Sequence, residues 1–176
     1  MFKIIADFDS RVTAYWMKRH FSERTNRWLR FYVRLGDGYI WALFIVFLIW
    51  MIGWDCFWPI LWQALISLAI SLLIYWGVKL KVKRSRPFDA NPAISAEVPP
   101  LDKYSFPSGH TMNNLAVAST VFFCVPQYGW FMILMPLTWG LLRVYFGVHW
   151  ISDILGGFLL GILSFALGHQ IWTLFT

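Results

Sequence analysis

The chain has 176 residues, of which 59% are hydrophobic and only 14% charged, with a formal net charge of +6 at pH 7. A soluble globular protein carries about 25% charged residues, so these proportions exclude a water-soluble enzyme and a disordered chain and place most of one domain in a bilayer. The positive balance suits anionic headgroups or an anionic substrate, and two cysteines, Cys56 and Cys124, make neither a disulfide framework nor a zinc site.

Residues 1–35 read as an amphipathic segment. Phe2, Ile5, Phe8, Val12, Tyr15 and Trp16 share one helical face, with Asp7, Asp9, Arg11, Lys18 and Arg19 largely off it. Residues 26–35 interleave Trp28, Leu29, Phe31, Tyr32 and Val33 with Arg27, Arg30 and Arg34. Basic amphipathic helices of this kind lie in a membrane interface, a reading preferred to a nucleic-acid-binding arm. The N-terminus is charged and has no separate apolar run, so no cleavable signal peptide is evident. Gly36-Asp37-Gly38 then turns the chain into residues 36–176, read as a transmembrane domain.

Apolar runs at 39–54, 59–78, 111–125, 128–142 and 151–175 predict about five spanning helices. The second and fifth alone reach the roughly 20 residues a crossing needs. Trp50, Trp54, Trp58 and Trp62 recur every four residues where the first two runs meet, and Trp41, Trp76, Trp130, Trp150 and Trp172 lie near span ends, as headgroup-level belts place them. Between the second and third runs, residues 79–107 hold Lys79, Lys81, Lys83, Arg84, Arg86 and Lys103 among five prolines. This reads as a structured, functional loop.

Threading five spans puts the N-terminal segment, the 79–107 loop and the 143–150 link on one membrane face. That face collects all 15 Lys and Arg residues, His20, His110, His149 and Asp153, while the other shows Asp55 and both cysteines. Preference of basic residues for the cytoplasmic side accounts for those in the first 35 residues but not for the spacing of the rest.

That spacing falls into three motifs: Lys79, six residues, then Arg86-Pro87; Pro107-Ser108-Gly109-His110 opening the third run; and Arg143, five residues, His149, three residues, Asp153. Each alone is modest. A Pro-Ser-Gly-His is often a turn, and His149 with Asp153 could be a helix-surface pair. In this order, on one face, they suit an anion. Arg grips phosphate in a planar fork and Lys as a point charge. A helix N-terminus at Ser108 and Gly109 presents free N–H groups to it.

With these motifs, and with Gly147-Val148-His149 and Gly156-Gly157 around the third, the sequence resembles the type 2 phosphatidic acid phosphatase superfamily, which also includes vanadium haloperoxidases and glucose-6-phosphatase. The resemblance covers residues 79 to about 161. It departs at Leu142, where the family has Ser before its Arg, and in the span count, which is six in many bacterial relatives. It implies an all-α integral membrane helix bundle with a vanadium-haloperoxidase-like phosphatase core and a metal-independent phosphatase that needs no cofactor. Lys79, Arg86, Ser108, Gly109 and Arg143 would bind phosphate. His149 would be the nucleophile oriented by Asp153, and His110 the acid and base. The partner is a membrane lipid phosphate: phosphatidic acid, phosphatidylglycerol phosphate, undecaprenyl diphosphate or, with some preference, lipid A 1-phosphate.

A lipid phosphotransferase shares the first half-reaction and is not separated by sequence; a channel or scaffold has little support. Lys81, Lys83, Arg84 and Lys103 read as headgroup contacts, and His20 and His169 as surface or interface residues. Asn113 and Asn114 either line the mouth or bridge helices. Asp89, Glu97 and Asp102 form no two-metal cluster. The family's habit places the site on the periplasmic side of an inner membrane, the basic-residue bias on the cytoplasmic side; the periplasmic reading is preferred because chemistry itself requires several of the cations.

Overall fold

The computed structural model describes residues 2–19 and 21–175, and among them every regular element is helical. His20 lies outside the described residues, as does the side chain of Phe2. The order is α1 (Phe2–Met17), α2 (Glu23–Leu35), α3 (Tyr39–Ile52), α4 (Trp54–Val82), the single-turn α5 (Pro87–Ala90), α6 (Gly109–Cys124), α7 (Pro126–Tyr145) and α8 (Ile151–Thr173).

Local signals set these boundaries. Ser22 caps α2 by accepting from Thr25 N at 3.2 Å, and Glu23 and Arg34 sit at its favourable dipole ends. Gly53, with φ of +78°, separates α3 from α4, a backbone conformation open to glycine and costly for other residues. Pro126 opens α7 at a position where its missing N–H costs nothing. At α8 the Asp153 carboxylate accepts from Trp150 N at 2.8 Å.

The centre of the bundle is α6, packed against α4, α7 and α8. Gly157, Gly161, Ser164 and Gly168 form a buried small-residue face on α8 that admits such contact. A Cβ at Gly161 would stand 2.7 Å from Met112 O of α6. Away from the site, Phe44, Leu48, Phe57, Ile60, Ala118, Val121 and Met132 form the main apolar cluster. Beneath the site loops, Val33, Val98, Tyr145, Phe146 and Val148 join α2 and the long loop to the turn between α7 and α8.

Two stretches are long and apolar enough to cross a membrane, Trp54–Ala90 and Ile151–Thr173. A third arises if α2 and α3, bent by 66° to each other, make one span. Length and composition therefore give two or three spans where the apolar runs predicted about five. The central α6 has only 16 residues and buries Asn114, Ser119 and Thr120 against neighbouring helices.

One expectation changes. The loop proper begins after Val82, because Lys79 and Lys81 complete the last turn of α4 and Lys79 is buried there. Helix α1 buries Asp9 and Thr13 against the bundle and packs Trp16 on the cluster beneath the site loops, while Ile4, Ile5, Phe8 and Tyr15 are exposed. Cys56 and Cys124 are free thiols.

Candidate active site

Four helix ends meet at one end of the bundle: the C-terminus of α4, the N-terminus of α6, the C-terminus of α7 and the N-terminus of α8. The three motifs lie on these ends. Arg86, Gly109, His110, Arg143 and His149 line one cavity of about 510 Å³. Lys79 stands one contact behind it. Ser108 and Asp153 are fully buried and do not line it: Ser108 N donates to Asp153 O at 3.1 Å, and Ser108 Oγ accepts from Thr111 Oγ1 at 3.3 Å.

His149 sits in the turn between α7 and α8, where Gly147 takes a φ of +72° and Val148 N and His149 N both bond back to Arg143 O. Its Nδ1 faces Asp153 Oδ2 at 3.4 Å, and its Nε2 faces Arg86 Nη1 at 3.5 Å. Burial pushes the ring's pKa down to about 4, against the opposing pull of Asp153, and the nearby Arg86 and Arg143 charges add to the fall. At neutral pH the ring is therefore uncharged. Asp153 favours the proton on Nδ1, which leaves the Nε2 lone pair toward the cavity.

Arg86 donates to Val148 O at 2.7 Å, to Asp102 O at 3.0 Å and to Asp102 Oδ1 at 2.9 Å. Lys79 Nζ donates to the same Oδ1 at 2.7 Å and to Tyr75 Oη at 2.6 Å, and Tyr75 donates to the other carboxylate oxygen. Burial alone would raise Asp102, but the hydrogen bonds from Lys79 and Tyr75 and the charges of Lys79 and Arg86 outweigh it and hold the carboxyl below its usual range.

Arg143 Nη2 lies 2.6 Å from His110 Nε2 and 3.4 Å from Asp37 Oδ1. Asp37 Oδ1 in turn lies 2.7 Å from the same His110 Nε2. One ring nitrogen cannot both accept from Arg143 and donate to Asp37. The two contacts are alternatives set by Nε2: without a proton it accepts from Arg143, and with one, in the neutral or the charged ring, it donates to Asp37. Burial would raise the Asp37 carboxyl, but the His110 hydrogen bond and the charges of His110, Arg143 and Arg34 keep it low, so it stays an acceptor. Arg143 Nε is buried without a partner among the described residues.

Four residues here lay outside the sequence-predicted site. The sequence shows Asp37 only as part of a turn, and Asp102 only as a carboxylate unfit for metals. Tyr75 precedes Lys79 by four residues, so helical spacing alone could have found it. Arg84 is corrected from a headgroup contact. It pairs with Asp9 and donates to Asp153 Oδ1 at 2.7 Å. Both asparagines line the cavity and join helices, Asn114 by accepting from Trp41 Nε1 at 2.6 Å and donating to Gly36 O and His110 O. Asn113 accepts from Ser71 Oγ. His169 is an interface residue between Gln63 and the rings of Phe123 and Phe165. Among the described residues no group of three or more His, Cys, Asp or Glu is placed to hold a metal.

Away from its polar end the cavity continues between α3, α4 and α6 along Phe44, Leu48, Leu61, Leu65, Leu68 and Leu72. A charged head and a long apolar body fit this shape end to end.

Comparisons with known proteins bear on the family and the fold. The profile of the PAP2 superfamily matches residues 60–175. An undecaprenyl-diphosphatase of Sulfolobus acidocaldarius is 35% identical over 97 residues, 54% of this chain and 47% of that protein. Phosphatidylglycerophosphatase B of Bacillus subtilis is 36% identical over 75 residues, 36% of this chain and 37% of that protein. The chain thus spans less than half the length of these curated relatives. The crystal structure of a transmembrane PAP2-type phosphatidylglycerolphosphate phosphatase from Bacillus subtilis superposes with a TM-score of 0.70 at 23% identity, over 96% of this chain and 86% of that one. LpxE of Aquifex aeolicus gives 0.68 at 18% identity, over 91% and 93%. These two likenesses establish the fold.

Proposed function

The chain belongs to the PAP2 superfamily, and from that premise we propose that it is an integral-membrane phosphatase hydrolysing a phosphomonoester or diphosphate on a membrane lipid through a phosphohistidine. The observation that carries this reading is the single cavity with Arg86, Arg143, His110 and His149 at its polar end and leucines along the rest. The headgroup enters among the cations while the chains stay on the apolar wall.

In the first step His149 Nε2 attacks phosphorus, the bond from phosphorus to the lipid oxygen breaks, and charged His110 protonates that oxygen. In the second, His110 takes a proton from water. The hydroxide oxygen bonds to phosphorus, the P–N bond breaks and His149 is released. Phosphoryl transfer is chiefly positioning and charge stabilisation. Arg86, Arg143 and Lys79 supply the charge, and the first N–H groups of α6 at Gly109 and His110 add donors. The incoming phosphate competes with Asp102 for Arg86 and Lys79 and with Asp37 for Arg143. The unpartnered Arg143 Nε offers it a further donor.

The membrane setting is part of the same reading. Helices α3, α4, α6, α7 and α8 cross the bilayer, with α6 shielded by its neighbours, and residues 1–35 lie in the interface. The site faces the periplasm of an inner membrane. Labelling an Ala93→Cys protein in intact cells with an impermeant thiol reagent tests the side, against a Cys-free background.

Phosphate release from phosphatidic acid, phosphatidylglycerol phosphate, undecaprenyl diphosphate and lipid A 1-phosphate by the purified protein tests the activity. Release from at least one, lost in His149→Ala, is the expected result. Undiminished release by that variant removes the nucleophile assignment.

A further inference from the structure

Helix α1 turns its polar side inward. Asp9 is 1% exposed although it carries a charge. A buried carboxylate is costly unless paired and hydrogen-bonded, and here it is both. It forms an ion pair with Arg84 and accepts from Ser152 N at 3.0 Å and Ser152 Oγ at 2.7 Å. Ser152 lies in the first turn of α8, so Asp9 also sits at the positive dipole end of the helix that carries Asp153.

The contacts continue inward from Arg84. Its Nη1 donates to Ser152 Oγ at 2.6 Å and to Asp153 Oδ1 at 2.7 Å, and its guanidinium lies over the Trp150 ring, 5.6 Å from the centroid. The other oxygen of Asp153 takes Trp150 N and faces His149 Nδ1. An unbroken run of polar contacts therefore reaches from α1 to the nucleophile: Asp9, Arg84 with Ser152, Asp153, His149.

We propose that Asp9, Arg84 and Ser152 are positioning residues that fix the Asp153 carboxylate and, through it, the His149 ring, so that seating of α1 on the bundle is a requirement for catalysis. The inference rests on the reading of His149 as nucleophile. A carboxylate rotates freely unless both oxygens are held. Arg84 holds Oδ1 and a backbone N–H holds Oδ2, and only then does a fixed lone pair face His149. That last contact is 3.4 Å, long enough that a small rotation breaks it. The outer side of α1 carries Ile4, Ile5 and Phe8, so apolar surroundings outside the bundle press the same helix onto the relay.

Charge gives the inference its signature. Around the Asp153–His149 pair stand Asp9 from α1, Lys79 from α4, Arg84, Arg86 and Asp102 from the segment after it, and Arg143 from α7, with Asp37 and His110 beyond Arg143. Of the positive groups, Arg84 alone contacts the Asp153 carboxylate among the described residues. Its removal raises the proton affinity of the pair.

The test compares purified full-length variants, in vesicles, on the lipid phosphate that the wild type hydrolyses. Arg84→Gln is expected to lower kcat about 10- to 10²-fold with KM little changed and to move the acid limb of kcat/KM to higher pH. Arg84→Lys restores the charge and returns the limb, but it cannot span Asp9 and Asp153 as a planar fork, so kcat stays reduced. Asp9→Asn lowers kcat without raising the limb.

A second readout needs no turnover: histidine side-chain ¹⁵N NMR of the same proteins in nanodiscs. Wild-type His149 should carry its proton on Nδ1, and Arg84→Gln should raise its titration and mix its tautomers. A folded Arg84→Gln protein with kcat within twofold and an unmoved His149 titration overturns the relay. Where that variant does not fold, Asp9→Asn and Arg84→Lys carry the test by the same two measurements. Absence of phosphate release by the wild type would overturn the functional reading instead, and the NMR titration would still decide the relay.

Discussion

His149 stands four residues before its carboxylate Asp153, with Nδ1 and Oδ2 3.4 Å apart, whereas His110 meets Asp37 from 73 residues away, at 2.7 Å from Nε2. The first pair is set by the start of α8 and braced from behind by Arg84. The second exists only because the turn between α2 and α3 rests on the N-terminal end of α6. Gly36 makes that approach possible, since a Cβ there would lie 2.9 Å from both His110 and Trp139. The difference matches the chemistry proposed for each ring. A nucleophile needs one tautomer and one direction. A ring that gives and takes a proton at Nε2 needs an acceptor and a donor facing that atom, and Asp37 and Arg143 supply them.

Breaking the local pair should cost most. His149→Ala is expected to reduce phosphate release on the order of 10³-fold or more, measured on the best lipid of the panel. Asp37→Asn should cost about 10²-fold, within the range for positioned acid–base groups. It should also add little further loss to His110→Ala, because the two act as one unit. A fully additive double mutant would separate Asp37 from proton transfer.

Gly36→Ala sharpens the comparison from the backbone side. It pushes the turn away from His110 without touching Asp153, and a loss of about tenfold in kcat is expected, with the His149 titration unchanged. The smallest effect concerns pH. Because burial lowers His149 to about 4, its neutral, nucleophilic form is present above that pH and is lost as pH falls through it. The acid limb of wild-type kcat/KM should therefore lie near pH 4. A decline centred near 6.5, the ordinary value for the ring, would mean that water reaches it.

Much of this architecture was legible before any coordinates. The apolar runs predicted at 111–125, 128–142 and 151–175 correspond to α6, α7 and α8 within a few residues. The amphipathic pattern of residues 1–35 marked two helices, α1 and α2, and Ile5, Phe8 and Tyr15 of α1 stay on the outside of the bundle. Helical periodicity shows that a helix has two faces; it does not show which face meets protein when a bilayer competes for the apolar one. The motif residues were visible because Arg, Lys and His at fixed spacing in an apolar chain have few other uses. Arg84 was not separated from Lys81 and Lys83, since all three are cations in one short run and only Asp9 and Asp153 distinguish it.

The sequence alone determined the membrane character of the chain, the helices of its C-terminal half and the residues around the proposed phosphate, because those follow from hydrophobicity and spacing along a single strand of chain. The tertiary structure decided which carboxylates answer the cations. Asp37, Asp102 and Asp9 acquire their partners across 106, 16 to 23 and 75 residues. Such pairings depend on how helices dock, and charge–charge attraction, which acts through space, leaves no periodic trace in the order of residues.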